Sequence, residues 1–333
     1  MGAWDEMLAE FRALGGTAEN ICLREGTYGR GLFPMDAAKP VAIRIPDNLL
    51  LDKADAVFAG NSFRVAADSK MGARERAFLE NYENVFSWGG GGRVEVERIF
   101  AQAQDLAPEL RQKLRDNFRC GAWFEDDISE HLIQEQFLGS RCITYKSRTV
   151  VMPIIELANH GHGTGYDTDN GVALKGTFPG EVLVRYSSAD SYGLFLNWGF
   201  AADQPQAMSM AMSGSVGQTA LNIDRDLSDL QPNERAWMPK MIRGTDGLEL
   251  PFLVIGNKPY PRLCKGVFFK LMRDASVSGF EETFDTIQHL NRMHFLDLLA
   301  ALEGVGGPMA QTLQRMARFQ LQAMSSCYGV RAV

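Results

Sequence analysis

The sequence predicts an α+β protein in which strands and helices are segregated rather than alternating. Three observations lead there. Short apolar runs with period-two alternation and glycine breaks occupy the first fifty residues. A polar, helix-periodic stretch follows, from Asn48 to about His131. Apolar strand-like runs then return around RTVVMPIIELANH and VALKGTFPGEVLVRY before the last third turns helical. The boundaries read as 1–47, 48–133, 134–212 and 213–333.

Taken in order, WDEMLAEFRAL sets Trp4, Met7, Leu8, Phe11 and Leu14 on one helical face, and Gly15-Gly16 ends it. NICLREGTYGRGLFP alternates around Ile21 and Leu23, breaks at Gly26 and resumes at Leu32 and Phe33. AKPVAIRIP gives a second strand, ending at Pro46. Gly29-Arg30-Gly31 reads on its own as the turn between strands. The polar stretch contains ARERAFLENYENVF, VEVERIFAQAQ and APELRQKLRDNF, with Gly89 to Gly92 as its one interruption. Trp88, beside those glycines, reads as an anchor of the loop to the core. HLIQEQFLGSRCITY predicts a helix that carries Arg141 on its later turns. After Phe200, MSMAMSGSVGQTALNI and LELPFLVIG are strand-like in part. Helical segments then run through Phe268, Phe284 to Leu302 and Met309 to Met324.

Composition narrows the function. With 34 basic and 41 acidic residues in 333, the formal net charge is −7, and Lys and Arg are scattered, which disfavours a nucleic-acid partner. No apolar run approaches the ~20 residues of a membrane-spanning helix, and MGAWDEMLAEF carries acids where a signal peptide carries positive charge. A cytoplasmic location is the expectation. The five cysteines, Cys22, Cys120, Cys142, Cys264 and Cys327, are isolated along the chain and odd in number. That reads as buried free thiols rather than a disulfide framework or a zinc cluster. His160 and His162 are too few for a metal site, and His162 reads as a surface residue.

Glu156 to Phe200 is the stretch richest in chemistry: IIELANHG, a polar turn region, then VALKGTFPGEVLVRYSSADSYGLFLNWGF. A proline-led apolar run, an acid and Asn-His, followed by a Gly-Glu step into a strand ending on tyrosine and then an aromatic-Gly-Phe segment, resembles the carboxyl-terminal half of a SET domain. The similarity is to the Rubisco-methyltransferase-like branch of these lysine methyltransferases, which lacks the cysteine-rich zinc segment of many histone-directed members. It covers roughly residues 17 to 47 and 135 to 200.

The resemblance implies a β-rich SET core with a helical insertion and a mainly helical C-terminal domain that contributes to protein-substrate binding. It implies S-adenosylmethionine as cofactor, no metal, and methyl transfer to a lysine of a protein. It makes Tyr186 the catalytic residue, whose hydroxyl orients the amine and the methyl group. Tyr28, Gly29, Arg30, Gly31, Arg141, Asn159 and His160 become cofactor-binding residues, with TYGRGLF resembling the glycine step that brings backbone against the cofactor. Arg141 would meet the cofactor carboxylate, or pair with Glu135 or another acid. Tyr166, Tyr192, Trp198 and Phe200 would line a substrate channel, or fill a core. Tyr28 stands where parts of the branch have an acid, Glu156 where Asp is common, and Trp198 where tyrosine is frequent. Two other readings stay open at this stage. One is methylation of a non-lysine acceptor, a protein histidine or small-molecule amine; the other is a SET-fold binding protein without turnover. Oligomeric state is not readable from the sequence.

Overall fold

The computed structural model describes residues 2–118, 120–227, 238–244 and 247–327. The fold is α+β. Its strands form small sheets of two to four strands, and most pairings are antiparallel. Among the described residues the parallel pairings are Asn159–His160 with Leu183–Val184 and Thr219–Ile223 with Leu248–Leu250. A parallel sheet wound on both faces by helices is therefore not the architecture. No described helix is long and apolar enough to cross a membrane. The chain forms two compact units, Met1–Ala101 with Glu125–Ser187, and Gln102–Phe124 with Ser188–Val333.

In the first unit, Val41–Ile45 is the central strand between Thr17–Glu19 and Val172–Gly176. Val41, Ile43 and Ile45 alternate into the core, the pattern of a strand with one face buried. Ile21–Gly26 and Gly29–Pro34 form a hairpin whose reversal is Thr27-Tyr28, so Gly29 to Gly31 lie in the second strand rather than in the turn expected from sequence. The left-handed Gly29 (φ 89°) completes the reversal, a conformation that costs a residue with a side chain.

The insertion departs from expectation at its start, where residues 51–65 are strands and single 3-10 turns. Leu51–Asp52 pairs with Arg148–Val151, about a hundred positions later, and Ala56–Ala59 with Ser62–Val65 form a hairpin. Tertiary pairing overrides local propensity here. Helices begin at Ala73–Phe86, which turns Phe78, Leu79, Tyr82, Glu83 and Phe86 inward. Trp88 is fully buried, donates to the Gly60 carbonyl (3.0 Å) and packs on Phe58 and Phe137. The helix Glu130–Arg141 starts on a Ser129 cap that accepts the Leu132 N–H and ends on Arg141.

The second unit opens with strands, mostly in the two stretches that read as strand-like in part: Met212–Val216, Thr219–Ile223, Ile242–Arg243 and Leu248–Leu250 form one sheet, and Gln206–Met208 pairs with Val254–Asn257. Helices Leu263–Asp274, Thr283–Ala301 and Pro308–Ser325 follow. Its polar centre is Asp190, fully buried, which caps Ser191–Trp198 through the Gly193 N–H (2.8 Å) and also accepts from Met208 N–H (2.8 Å) and Arg225 Nη2 (2.5 Å). Replacing Asp190 by Ala strips the half-buried Arg225 of its acidic partner, leaving it the Met208 and Ser209 carbonyls, and strips the helix of its cap. Asp190→Ala should lower stability by about 3 kcal/mol in denaturant melts, and a loss under about 1 kcal/mol would contradict this role.

Candidate active site

The first unit converges on one short segment. Pro153-Ile154-Ile155 makes a tight turn in which the Ile155 N–H reaches the Pro153 carbonyl (2.8 Å), with Ile154 at φ 69°, ψ −58°. That is the strained form of the three-residue turn, and positive φ is an outlier for a β-branched residue. Ile154 is held there by complete burial of its side chain. Strain of this kind persists where the surroundings overdetermine it, and it clusters at functional sites. The turn launches Ile155–Leu157 and then Asn159–His160.

Asn159 ties three distant segments together. Its Nδ2 donates to Glu181 Oε1 (2.5 Å) and to the Arg30 carbonyl (3.3 Å). Both partners are acceptors, so the amide has its nitrogen toward them and its oxygen is left as an acceptor. The junction is close enough that a Cβ on Gly31 would overlap the Glu181 carboxylate and the Asn159 amide. Glu181 was missed in the sequence as a site residue; the Gly180-Glu181 step, placed one strand before Tyr186, was its only signal.

His160 and Tyr186 meet through the parallel pairing of Asn159–His160 with Leu183–Val184. The Tyr186 N–H reaches His160 Nδ1 (3.4 Å), and the two rings lie edge to face at 5.3 Å. The Tyr186 hydroxyl donates to the Ala158 carbonyl (3.0 Å). Burial pushes the Tyr186 phenol up, Arg141 opposes this, and Glu156 and Glu181 add to it. At neutral pH the group is a phenol whose proton is directed at Ala158. Tyr166 is buried, and burial, followed by the nearby Tyr186 and Glu156, raises its phenol as well.

Beneath these residues is a buried polar layer. The Glu156 side chain is fully enclosed. Its Oε1 accepts from the Tyr82 hydroxyl (2.9 Å), and its Oε2 lies 3.4 Å from Arg141 Nε. Arg141 stacks over Phe137 (4.4 Å) and donates to Ser140 Oγ (2.8 Å). Its acid is thus Glu156, while Glu135 pairs with Lys53 (2.7 Å). Glu83 is buried too. Burial first, then Glu156, push its carboxyl well above the usual range, and burial raises Glu156 against the pull of Arg141. Two buried carboxyls beside one guanidinium do not both stay charged. Tyr82 and Glu83 went unnoticed in the sequence; the signal was a glutamate on the same helical stripe as Leu79 and Phe86.

The remaining expected site residues are placed elsewhere. Arg30 donates to the Phe86 carbonyl (2.5 Å), so its side chain braces the insertion while its backbone serves Asn159. Tyr28, at the hairpin turn, is 64% exposed. Tyr192, Trp198 and Phe200 belong to the second unit. Tyr192 is fully buried there, with its hydroxyl on the Phe118 carbonyl and its ring against Phe295 and Arg225. These contacts make it a core residue of that unit rather than a channel wall. Trp198 ends the helix Ser191–Trp198, and it and Phe200 are half-buried.

No protein-family model matches the chain, and no curated protein matches it. Among solved structures the chain is similar to the SET domain of LSMT bound to lysine and AdoHcy, at 13% identity and a TM-score of 0.43, over 99% of this chain and 91% of that one. It is also similar to Rubisco LSMT bound to AdoMet, at 15% identity and a TM-score of 0.44, over 97% and 91%.

The electrostatics give this site a pH signature. Burial first, then the positive fields of His162 and Arg185, lower His160 from 6.5 to about 4. Between those values the unfolded chain holds a proton that the folded one does not. The stability His160 contributes is therefore present above pH 6.5 and lost as pH falls toward 4. The raised Glu83 and Glu156 act with the opposite sign, stabilising at low pH and losing that contribution as pH rises through their folded values. His160→Asn should flatten the decline of stability with acidification relative to wild type. Parallel curves over that window in denaturant melts would refute the buried neutral imidazole.

Proposed function

We propose that the chain is an S-adenosylmethionine-dependent N-methyltransferase of the SET kind that transfers methyl groups to a lysine side chain of a protein, with its chemistry in the first unit. One observation carries the reading: Tyr186, a phenol kept protonated by burial and aimed by the Ala158 carbonyl, stands against an Asn-His pair that is itself tied to the glycine hairpin.

The residues suit the cofactor. Asn159 offers an acceptor oxygen, fixed by its two bonds to Glu181 and Arg30, for the ammonium of an amino-acid moiety. Arg141 offers a guanidinium of the kind that holds a carboxylate. His160 is uncharged at neutral pH, so it adds no repulsion toward a sulfonium. When bound, S-adenosylmethionine supplies an electrophilic methyl group on a positively charged sulfur.

The protein's part is alignment and electrostatics. An in-line displacement needs the attacking nitrogen and the methyl carbon on one axis. The Tyr186 oxygen, with its proton committed to Ala158, accepts from whichever polarised N–H or C–H faces it. Its high pKa makes it an orienting group rather than a base, so the acceptor nitrogen enters already neutral. Oriented oxygens stabilise positive charge as it moves from sulfur to nitrogen. Support for a macromolecular acceptor comes from the sequence resemblance and from the helices that fill the end of the chain. Incubating a cell lysate with purified chain and isotope-labelled cofactor, followed by mass spectrometry, would find the acceptor and tell lysine from histidine or a small amine.

Two variants separate alignment from binding. Tyr186→Phe should cut turnover by about 10²–10⁴-fold and leave cofactor affinity in calorimetry nearly unchanged, because ground-state binding comes from other groups. Asn159→Ala should weaken cofactor binding, and chelators should leave it unchanged. Full activity of Tyr186→Phe on the identified acceptor would remove Tyr186 from the mechanism.

A further inference from the structure

The five thiols are far apart in sequence, yet the second unit brings two of them together. Cys264 is the second residue of Leu263–Asp274, and Cys327 follows the end of Pro308–Ser325. Their Sγ atoms are 3.9 Å apart and both residues are buried. The surroundings hold the pair in register. The strand Val254–Asn257 lies so close to the last helix that a Cβ on Gly256 would meet the Ala323 backbone, and the Asn257 N–H donates to Cys327 Sγ (3.1 Å). Ser326 Oγ is 3.5 Å from the same sulfur.

We propose that Cys264 and Cys327 form a reversible disulfide when the protein meets a peroxide, fastening the start of one C-terminal helix to the end of another. The two sulfurs are already in contact at 3.9 Å, and a disulfide brings them to about 2.05 Å. The roles are unequal. The bond shared with Cys264, aided by Ser326 and the Asn257 N–H and opposed by burial, holds the Cys327 thiol down to about 6, whereas the same bond and burial raise Cys264. A thiolate is the nucleophile in such chemistry.

The Cys327 sulfur attacks one peroxide oxygen and the O–O bond breaks; the departing hydroxide is protonated to water, leaving a sulfenic acid on Cys327. The Cys264 sulfur then attacks the Cys327 sulfur, the S–O bond breaks, and hydroxide leaves with the Cys264 proton as a second water. The sulfur pair loses two electrons and the peroxide gains them. A dithiol reductant reverses the link by exchange. The other thiols lack a sulfur partner among the described residues. Cys120 is buried and Cys142 half-buried, with both thiols pushed up to about 12 by burial, and Cys22 interacts with Arg24 (3.1 Å).

The test uses the full chain, reduced and then exposed to hydrogen peroxide, alkylated and digested without reductant. The expected product is a Cys264–Cys327 linked peptide that dithiothreitol removes, with Cys22, Cys120 and Cys142 alkylated. The oxidised chain should melt about 10 °C higher than the reduced one, since the link closes a long loop, and Cys264→Ser should abolish that difference. Should Cys264→Ser not fold, the peptide map of the unaltered chain decides alone. Over-oxidation of Cys327 with Cys264 still alkylated, or first oxidation at Cys22 or Cys142, would overturn the proposal.

Discussion

The first unit depends on the amide of Asn159. Its two N–H bonds join the glycine strand at Arg30, the turn-borne segment that begins at Ile154, and the approach to Tyr186 at Glu181. The first of these bonds spans 129 residues and the second 22, and loop closure over the longer distance has an entropic cost that only a well-made junction offsets. Gly31 is small because the junction lies directly on it. With the amide so engaged, the position of the strand Leu183–Val184 that leads to Tyr186 follows, and so does the direction of the amide oxygen. One set of bonds therefore supports both the fold and the chemistry proposed for it.

Under that junction the protein keeps charge in balance by burial rather than by pairing alone. Glu156 is shared between Tyr82 and Arg141, and Glu83 lies behind it with a raised carboxyl. A fully ionised layer would cost several kcal/mol per uncompensated charge, so protonation relieves it. Its effect on the site is to hold Arg141 against Phe137 and toward Glu156. The strain at Ile154 belongs to the same economy of structure: a tight turn there delivers Glu156 downward into the layer and Asn159 into the junction within five residues.

Elements decided by their own residues were readable in the sequence. The first helix, the strand ending at Ile45, and the helix that delivers Arg141 all follow from apolar period and local caps. Residues 51–65 were not, because a two-residue strand such as Leu51–Asp52 exists only through its partner near Val150. The same division holds for the site. Asn159, His160 and Tyr186 sit in short, ordered motifs, and the structure brings them together. Glu83 and Tyr82 look like an ordinary helix face until Glu156 packs against them. Tyr192 shows the opposite failure: an aromatic beside a motif suggests a channel, but the carbonyl that takes its hydroxyl belongs to Phe118, far away in sequence. Cys264 and Cys327 likewise look isolated until the strand at Asn257 brings them into contact.

Hydrogen exchange of backbone amides in the full chain, with and without S-adenosylmethionine, tests the central claim most directly. The account predicts protection concentrated in residues 24–34, 154–166 and 181–187, the three segments that Asn159 joins, with the smaller changes elsewhere in the chain. Protection confined to the second unit, or none at cofactor concentrations that saturate a methyltransferase, would contradict it.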